Sequence, residues 1–346
     1  MFVKLLDIIL FYVNLFNKDF VLRLPCPLLT KRTPSLKIQY NPSMLTFSEY
    51  SGVYAAAVTP LKPDLSPALD DLPALLEFLA QRGCHGVLLL GTTGEGPSFA
   101  ARERSEIFRA AQQARQSIPD LRLLAGTGTP SLEETTTLTR AAFDEGMDGV
   151  VILPPYYFRK VADDGLFAWF SHVLKNAVPS GGLVLGYHIP PVTGIGFSLD
   201  LLARLRQAFP DRFAGIKDSS GDADYARQLG ERFGSDLFVL TGNDRLLNLA
   251  LQNHAAGCIT AMANLTSPAL RMIWDSHQAG NPNSLLQDLV SKARMVLDKT
   301  PPFPPLIKGL LAKRHGFPAW TVHPPLLPLD EQVLATVAAE FSPIVD

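Results

Sequence analysis

The sequence predicts a (β/α)8 TIM barrel followed by a small C-terminal helical region, on three observations. Short apolar runs rich in Val, Leu and Ile recur from residue 52 to residue 260, eight in all. They do not alternate with polar residues, which is the pattern of strands buried on both faces of a parallel sheet. Amphipathic stretches separate them, so the runs and helices together fit a closed barrel. The competing architecture is a doubly wound sheet, which often carries a Gly-rich phosphate turn after its first strand. Here the first run ends in Val58-Thr59-Pro60, with no such turn.

The strand runs are Gly52–Pro60, Gly86–Gly91, Leu121–Gly128, Gly149–Pro155, Leu183–Ile189, Phe213–Asp218, Leu237–Gly242 and Gly257–Thr260. Helical patterns cover Asp70 to Arg82, with Gly83 as C-cap, then Ala100 to Arg115, and Ser131 to Glu145, closed by Gly146. Ser131-x-x-Glu134 reads as a capping box at the third of these. Beyond residue 280 no strand pattern returns. Helices are expected near 283–298, 304–315 and 330–341, with Pro-rich joints at Pro301–Pro305 and Pro324–Pro328. The domain reading is therefore a catalytic barrel over 46–280 and a helical region over 281–346. Residues 1–45 are read as an extension or linker outside the fold. The apolar stretch within residues 1–20 is interrupted by Asp7 and Asn14, which is too short and broken for a membrane span. It also lacks a small-residue cleavage site. A membrane or targeting segment is the competing reading of it.

Composition narrows the function classes. Of 346 residues, 47% are hydrophobic and 18% charged, enough to build a large core, and the formal net charge is −2. No basic stripe with interleaved aromatics is present, which argues against nucleic acid as a partner. The three cysteines, Cys26, Cys84 and Cys258, are far apart and form no CxxC or Cys/His cluster. A disulfide framework and a structural zinc site are not expected, and a cytoplasmic location fits best. No metal or cofactor is expected, since neither metal-ligand spacing nor a Walker loop occurs, and GxSxG is also missing.

Barrel active sites lie at the C-terminal ends of the strands. There the sequence places Thr92, Thr93, Gly94 and Glu95 after the second run, and Tyr156 and Tyr157 after the fourth. Tyr187 and His188 end the fifth run, Lys217 the sixth, Asn243 and Asp244 follow the seventh, and Thr260 ends the eighth. Lys217 stands out because it directly follows a buried strand pattern. A buried lysine must pair or lose its proton, and a neutral lysine is a nucleophile toward carbonyl carbon. The alternative is a structural lysine that snorkels outward or pairs with Asp218. Tyr187, on the neighbouring strand, is placed to shuttle a proton, or is an ordinary rim tyrosine. Thr92-Thr93, between two glycines, can offer hydroxyls and backbone N–H groups to an anion, or is a plain turn.

The motifs occur in an order that resembles the dihydrodipicolinate synthase / N-acetylneuraminate lyase family of class I, pyruvate-linked lyases. They are Ala57-Val58-Thr59-Pro60, GTTGE at 91–95, GTG at 126–128, PYY at 155–157, Tyr-x-x-Pro at 187–190 with Thr193-Gly194, GIKD at 215–218 and TGND at 241–244. The resemblance spans residues 50–340 or so. It implies that Lys217 forms an imine with a 2-oxo acid and that Tyr187 moves protons during bond making and breaking. It further implies that Thr93, with nearby backbone N–H groups such as that of Gly94, binds the 2-oxo acid carboxylate. Thr92 is implied as the link from Tyr187 to Tyr157, the latter reaching into a neighbouring subunit's site, and Ile259 as a residue whose carbonyl faces the intermediate. Homotetramers built from tight dimers are implied as the assembly.

Two positions depart from the family pattern. Val192 stands where the synthases carry an arginine for the carboxylate of aspartate semialdehyde, and valine makes no such contact. Arg159 is the available substitute. His188 replaces a common asparagine; it either contacts a hydroxylated substrate or packs. The function that best fits is an aldolase joining or cleaving a 2-oxo acid (pyruvate) and an aldehyde, with a 2-keto-3-deoxy sugar acid aldolase as the leading form. A dehydratase on the same scaffold and 4-hydroxy-tetrahydrodipicolinate synthase are the alternatives. A non-catalytic binding or regulatory protein is the rival from another class.

Overall fold

The structure, a computed structural model, describes residues 47–345, so the expected N-terminal extension lies outside the described residues. Eight parallel strands close into a barrel in sequence order, with β1 (Gly52–Ala56) pairing both β2 (Gly86–Leu89) and β8 (Gly257–Thr260). Between these lie β3 (Arg122–Gly126), β4 (Gly149–Ile152), β5 (Leu183–His188), β6 (Phe213–Asp218) and β7 (Phe238–Thr241). The predicted runs locate every strand. Several overshoot at the C-terminal end, where pairing stops but the chain stays buried as it turns over the barrel mouth.

The helices of the outer ring are α1 (Leu72–Gln81), α2 (Ala101–Ala114), α3 (Leu132–Asp144), α4 (Asp163–Ala177), the single turn α5 (Pro190–Thr193), α6 (Leu199–Ala208), α7 (Ala223–Phe233), α8 (Leu247–Gln252) and α9 (Ala263–Gln278). Then follow α10 (Ser284–Asp298), α11 (Phe303–His315) and α12 (Glu331–Val345). Ser131 caps α3 by accepting the Glu134 N–H at 3.2 Å, as the sequence predicts. Among the described residues no helix is long and apolar enough to cross a membrane.

Two apolar layers form the core. The larger lies between strands and helices; the smaller fills the barrel interior with Tyr54, Leu88, Leu124, Val151, Leu185, Phe238, Leu240 and Ile259 among others. Inward residues alternate with outward ones along a regular strand. On β5, Leu183, Leu185 and Tyr187 face inward while Val184 packs outward. On β6 the alternation breaks. Val184 pairs with Phe213 but Leu185 pairs with Gly215, so one extra residue sits on β6. Ala214 belongs to the interior layer and Ile216 to the outer one. The extra residue thus brings Lys217 to the inside. Gly215 is required at this place because a Cβ there would collide with the Phe238 carbonyl.

Two histidines, His188 buried and His85 half-buried, make the fold sensitive to acid. His85 accepts the Val53 N–H on Nδ1 at 3.0 Å, and His188 accepts the Phe197 N–H on Nδ1 at 2.9 Å. Burial pushes both imidazoles down from 6.5 to about 4, with Arg271 adding to the effect at His85. Because the folded pKa lies below the unfolded one, the unfolded chain takes up protons first as pH falls from about 6.5. Stability should therefore decline between pH 6.5 and 4, by about 3–5 kcal/mol with the share of His85 discounted for its partial solvation. Thermal melts across that range check this. A flat profile in wild type, or no flattening in His188→Asn, would count against it.

Candidate active site

Lys217 and Tyr187 are paired neighbours across β5 and β6. Both are buried, and the Lys217 Nζ lies 4.0 Å from the centre of the Tyr187 ring. The Tyr187 hydroxyl is 3.3 Å from Thr92 Oγ1. Burial pushes the phenol upward, but the Lys217 cation and hydrogen bonds with Thr92, Lys217 and Ser219 outweigh it and hold the pKa below its ordinary value. Asp218, the alternative partner for the lysine, is on the other side of the strand and accepts the Ser220 N–H at 3.0 Å. A cavity of about 260 Å³ at the barrel mouth is lined by Thr92, Thr93, Tyr187, Val192, Lys217 and Ile259, among others.

The loop after β2 is held rigidly beside this cavity. Glu95 N–H donates to the Thr92 carbonyl at 3.2 Å, and Gly96 N–H to the Gly91 carbonyl at 3.1 Å. Thr59 Oγ1 donates to the Gly94 carbonyl at 2.7 Å. A Cβ on Gly94 would come within 2.7 Å of the Ala57 carbonyl, so only glycine lets the loop approach β1 this closely. Glu95 occupies the left-handed region (φ 57°) and is anchored by Lys308 of α11. Among the described residues, the Thr93 and Gly94 N–H groups donate to no protein acceptor, and Thr93 is buried against the cavity. This is the arrangement an anion cradle needs.

Two expected site residues lie elsewhere. His188 does not line the cavity. Its ring stacks on Tyr225, with centroids 4.4 Å apart, and its Nδ1 is occupied by Phe197 N–H, so packing is its observed role. The reason is strand alternation: with Tyr187 inward, His188 faces the helices. Tyr157 is 75% exposed, edge-on to Phe158, and does not reach Thr92 within one chain. Val192 lines the cavity but is 58% exposed at its rim. Ser219, Arg294 and Phe303, which sequence reading missed, also line it. Ser219 was within reach of sequence reasoning, because it sits two residues beyond Lys217 on the same side of the chain. The Ser219 hydroxyl occupies the space a Cβ on Gly242 would take.

Comparison with known proteins identifies the family of the chain. The sequence profile of the Dihydrodipicolinate synthetase family matches residues 49–343. The chain is 35% identical over 299 residues to an uncharacterised DapA-like lyase of Chloroflexus aurantiacus, covering 86% of this chain and 98% of that one. The crystal structure of dihydrodipicolinate synthase from Agrobacterium tumefaciens superimposes with a TM-score of 0.77 at 30% identity, over 85% of this chain and 99% of that one. YagE of E. coli K12, a protein of the same family in complex with pyruvate, gives a TM-score of 0.78 at 25% identity, over 85% and 98% of the two chains. The chain belongs to the dihydrodipicolinate synthetase family.

Proposed function

We propose that the protein is a class I aldolase in which Lys217 forms an imine with pyruvate or a longer 2-oxo acid. The observation that carries this is the contact between the inward-facing Lys217 and the hydroxyl-bonded Tyr187. The pyruvate complex of YagE supports it by family likeness. In this reading the substrate carboxylate sits on Thr93 and the N–H groups of Thr93 and Gly94. Lys217 passes a proton to solvent, its amine adds to the keto carbon, and Tyr187 protonates the hydroxyl of the resulting carbinolamine, which leaves as water. The protonated imine draws electrons from the adjacent carbon. The Tyr187 phenolate takes a proton from that carbon, giving an enamine, which attacks the aldehyde carbon; the reprotonated Tyr187 then protonates the aldehyde oxygen to a hydroxyl. Cleavage is the reverse, and hydrolysis of the imine frees the lysine. Ile259, fully buried on β8, lines the same cavity.

The leading substrate is a 2-keto-3-deoxy sugar acid, cleaved to pyruvate and a hydroxyaldehyde. Threonine and serine hydroxyls with Asn243 on the cavity wall suit such a substrate. Borohydride reduction in the presence of pyruvate, followed by peptide mass mapping, tests the imine. A stable adduct on Lys217 is expected; none, or one on another lysine, overturns the mechanism. An aldehyde panel tests the partner, and efficient turnover of aspartate semialdehyde would favour the synthase reading. Tyr187→Phe is expected to lower kcat by about 10²- to 10⁴-fold while the adduct still forms slowly. A change within about threefold would remove Tyr187 from the proton path.

A homotetramer of tight dimers completes the proposal. In it, Tyr157 of the partner subunit would bond Thr92 and extend the hydroxyl chain that begins at Tyr187. The adjoining aromatics Tyr157 and Phe158, exposed to 75% and 70%, support this placement. Light scattering reads the assembly directly, and a monomer with full activity would exclude the role.

A further inference from the structure

Arg294 has a structural role as the cation beside the fully buried Asp244, and it also borders the active-site cavity. It comes from α10, in the C-terminal helical region, yet it lines the same cavity as Lys217. Its guanidinium is held on three sides. Nη1 donates to Asp244 at 2.6 Å, Nε donates to Asp298 at 2.8 Å, and the group lies 4.5 Å from the centre of the Phe303 ring. Among the described residues Nη2 has no hydrogen-bond partner. An arginine locked in this way loses little further freedom when it binds a ligand.

The charged side chains that line the cavity are cationic, and Arg294 among them is paired with Asp244 and Asp298, neither of which lines it. Lys217 and Arg294 are its only side chains with fixed charge among the described residues, and no carboxylate lines it. Under the imine reading, Lys217 is used by the keto carbon and the 2-oxo acid carboxylate rests on Thr93. Arg294 is then the remaining charged side chain on the cavity wall. The β5 side offers no equivalent. Val192 is apolar, and Arg159, whose stem crosses Gly194, is exposed and does not line the cavity.

We propose that Arg294 binds an anionic group, carboxylate or phosphate, at the distal end of the aldehyde substrate. The charge that Val192 cannot supply is supplied from α10, across the cavity. This inference rests on the imine reading and refines it: the second substrate is an acidic aldehyde, and its anionic end points toward the C-terminal helices rather than toward the loop after β5.

The test uses the full chain with pyruvate and two matched pairs of aldehydes, glyceraldehyde with glyceraldehyde 3-phosphate and butanal with succinic semialdehyde. In wild type, kcat/KM is expected to be higher for the charged member of at least one pair by about tenfold or more. The pair that responds tells phosphate from carboxylate. Arg294→Gln is expected to lower kcat/KM for that charged aldehyde by about 10- to 100-fold, mainly through KM. The neutral aldehydes should lose clearly less and the pyruvate adduct should still form, so that the ratio of charged to neutral kcat/KM falls by about tenfold or more. Equal loss on charged and neutral aldehydes would show that Arg294 only ties α10 to the loop after β7, and would overturn the proposal. So would a wild-type enzyme that forms the adduct but shows no preference for charge, and that measurement needs no variant. A wild type that forms no adduct overturns the imine reading and this inference together.

Discussion

Lys217→Ala is expected to abolish the borohydride-trapped pyruvate adduct and to lower turnover by on the order of 10⁴-fold or more. An imine needs a primary amine at this place, and neither solvent nor Tyr187 can replace it. Lys217→Arg separates covalent from electrostatic roles. Arginine keeps a cation beside the Tyr187 ring but cannot form the imine, so it should be as inactive as alanine. If Lys217→Arg kept a tenth or more of the activity, Lys217 would be acting by charge alone and the mechanism would fall. Folding should survive in the alanine variant. Lys217 is nearly fully buried, and removing its cation from this wall leaves no buried carboxylate unpaired, because Asp218 bonds to Ser220 instead. Thermal melts near wild type would therefore accompany the lost activity.

The barrel was legible because its strands are buried on both faces, so each appears as an uninterrupted apolar run that periodicity can find. The runs Phe213–Asp218 and Gly257–Thr260 coincide with β6 and β8 to the residue. Less of the site was legible, for physical reasons that differ from residue to residue. Lys217 reads as a residue at a strand end, but counting by twos from the inward Ala214 would turn it outward; the extra residue on β6 that corrects this leaves no mark in an apolar stretch. For His188 the same counting works, since an inward Tyr187 puts it among the helices. Arg294 could not be found at all. It lies in an amphipathic helix where an arginine reads as a solvated face, and only the docking of α10 over the barrel mouth turns it toward Lys217. Residues that act locally on a strand end were thus within reach, while those delivered by a remote helix were not.

The same distinction governs the second large effect, which concerns a lysine with no signature in the sequence. Lys308 of α11 is 1% exposed and donates from Nζ to Glu95 Oε1 at 2.5 Å and to the Thr321 carbonyl at 2.7 Å. The other Glu95 oxygen accepts the His323 N–H at 2.8 Å. Burial pushes the Lys308 ammonium pKa down, and Glu95 opposes the shift without cancelling it. Lys308→Met should destabilise the fold by about 3–5 kcal/mol, because it leaves the Glu95 carboxylate buried without its cation. Glu95→Gln with Lys308→Met removes both charges and should recover at least half of that loss, since much of the worth of a buried pair is the cost of orphaning one member. Urea unfolding measures both; a single variant within about 0.5 kcal/mol of wild type would mean the pair holds nothing. The consequence reaches the site. Glu95 closes the loop that presents Thr93 and Gly94, and its left-handed backbone is tolerated because α11 and the His323 segment grip both carboxylate oxygens. At temperatures where Lys308→Met is still folded, the KM for pyruvate should therefore rise while imine formation at saturating pyruvate is nearly unchanged. That split would separate a loosened cradle from a general loss of structure.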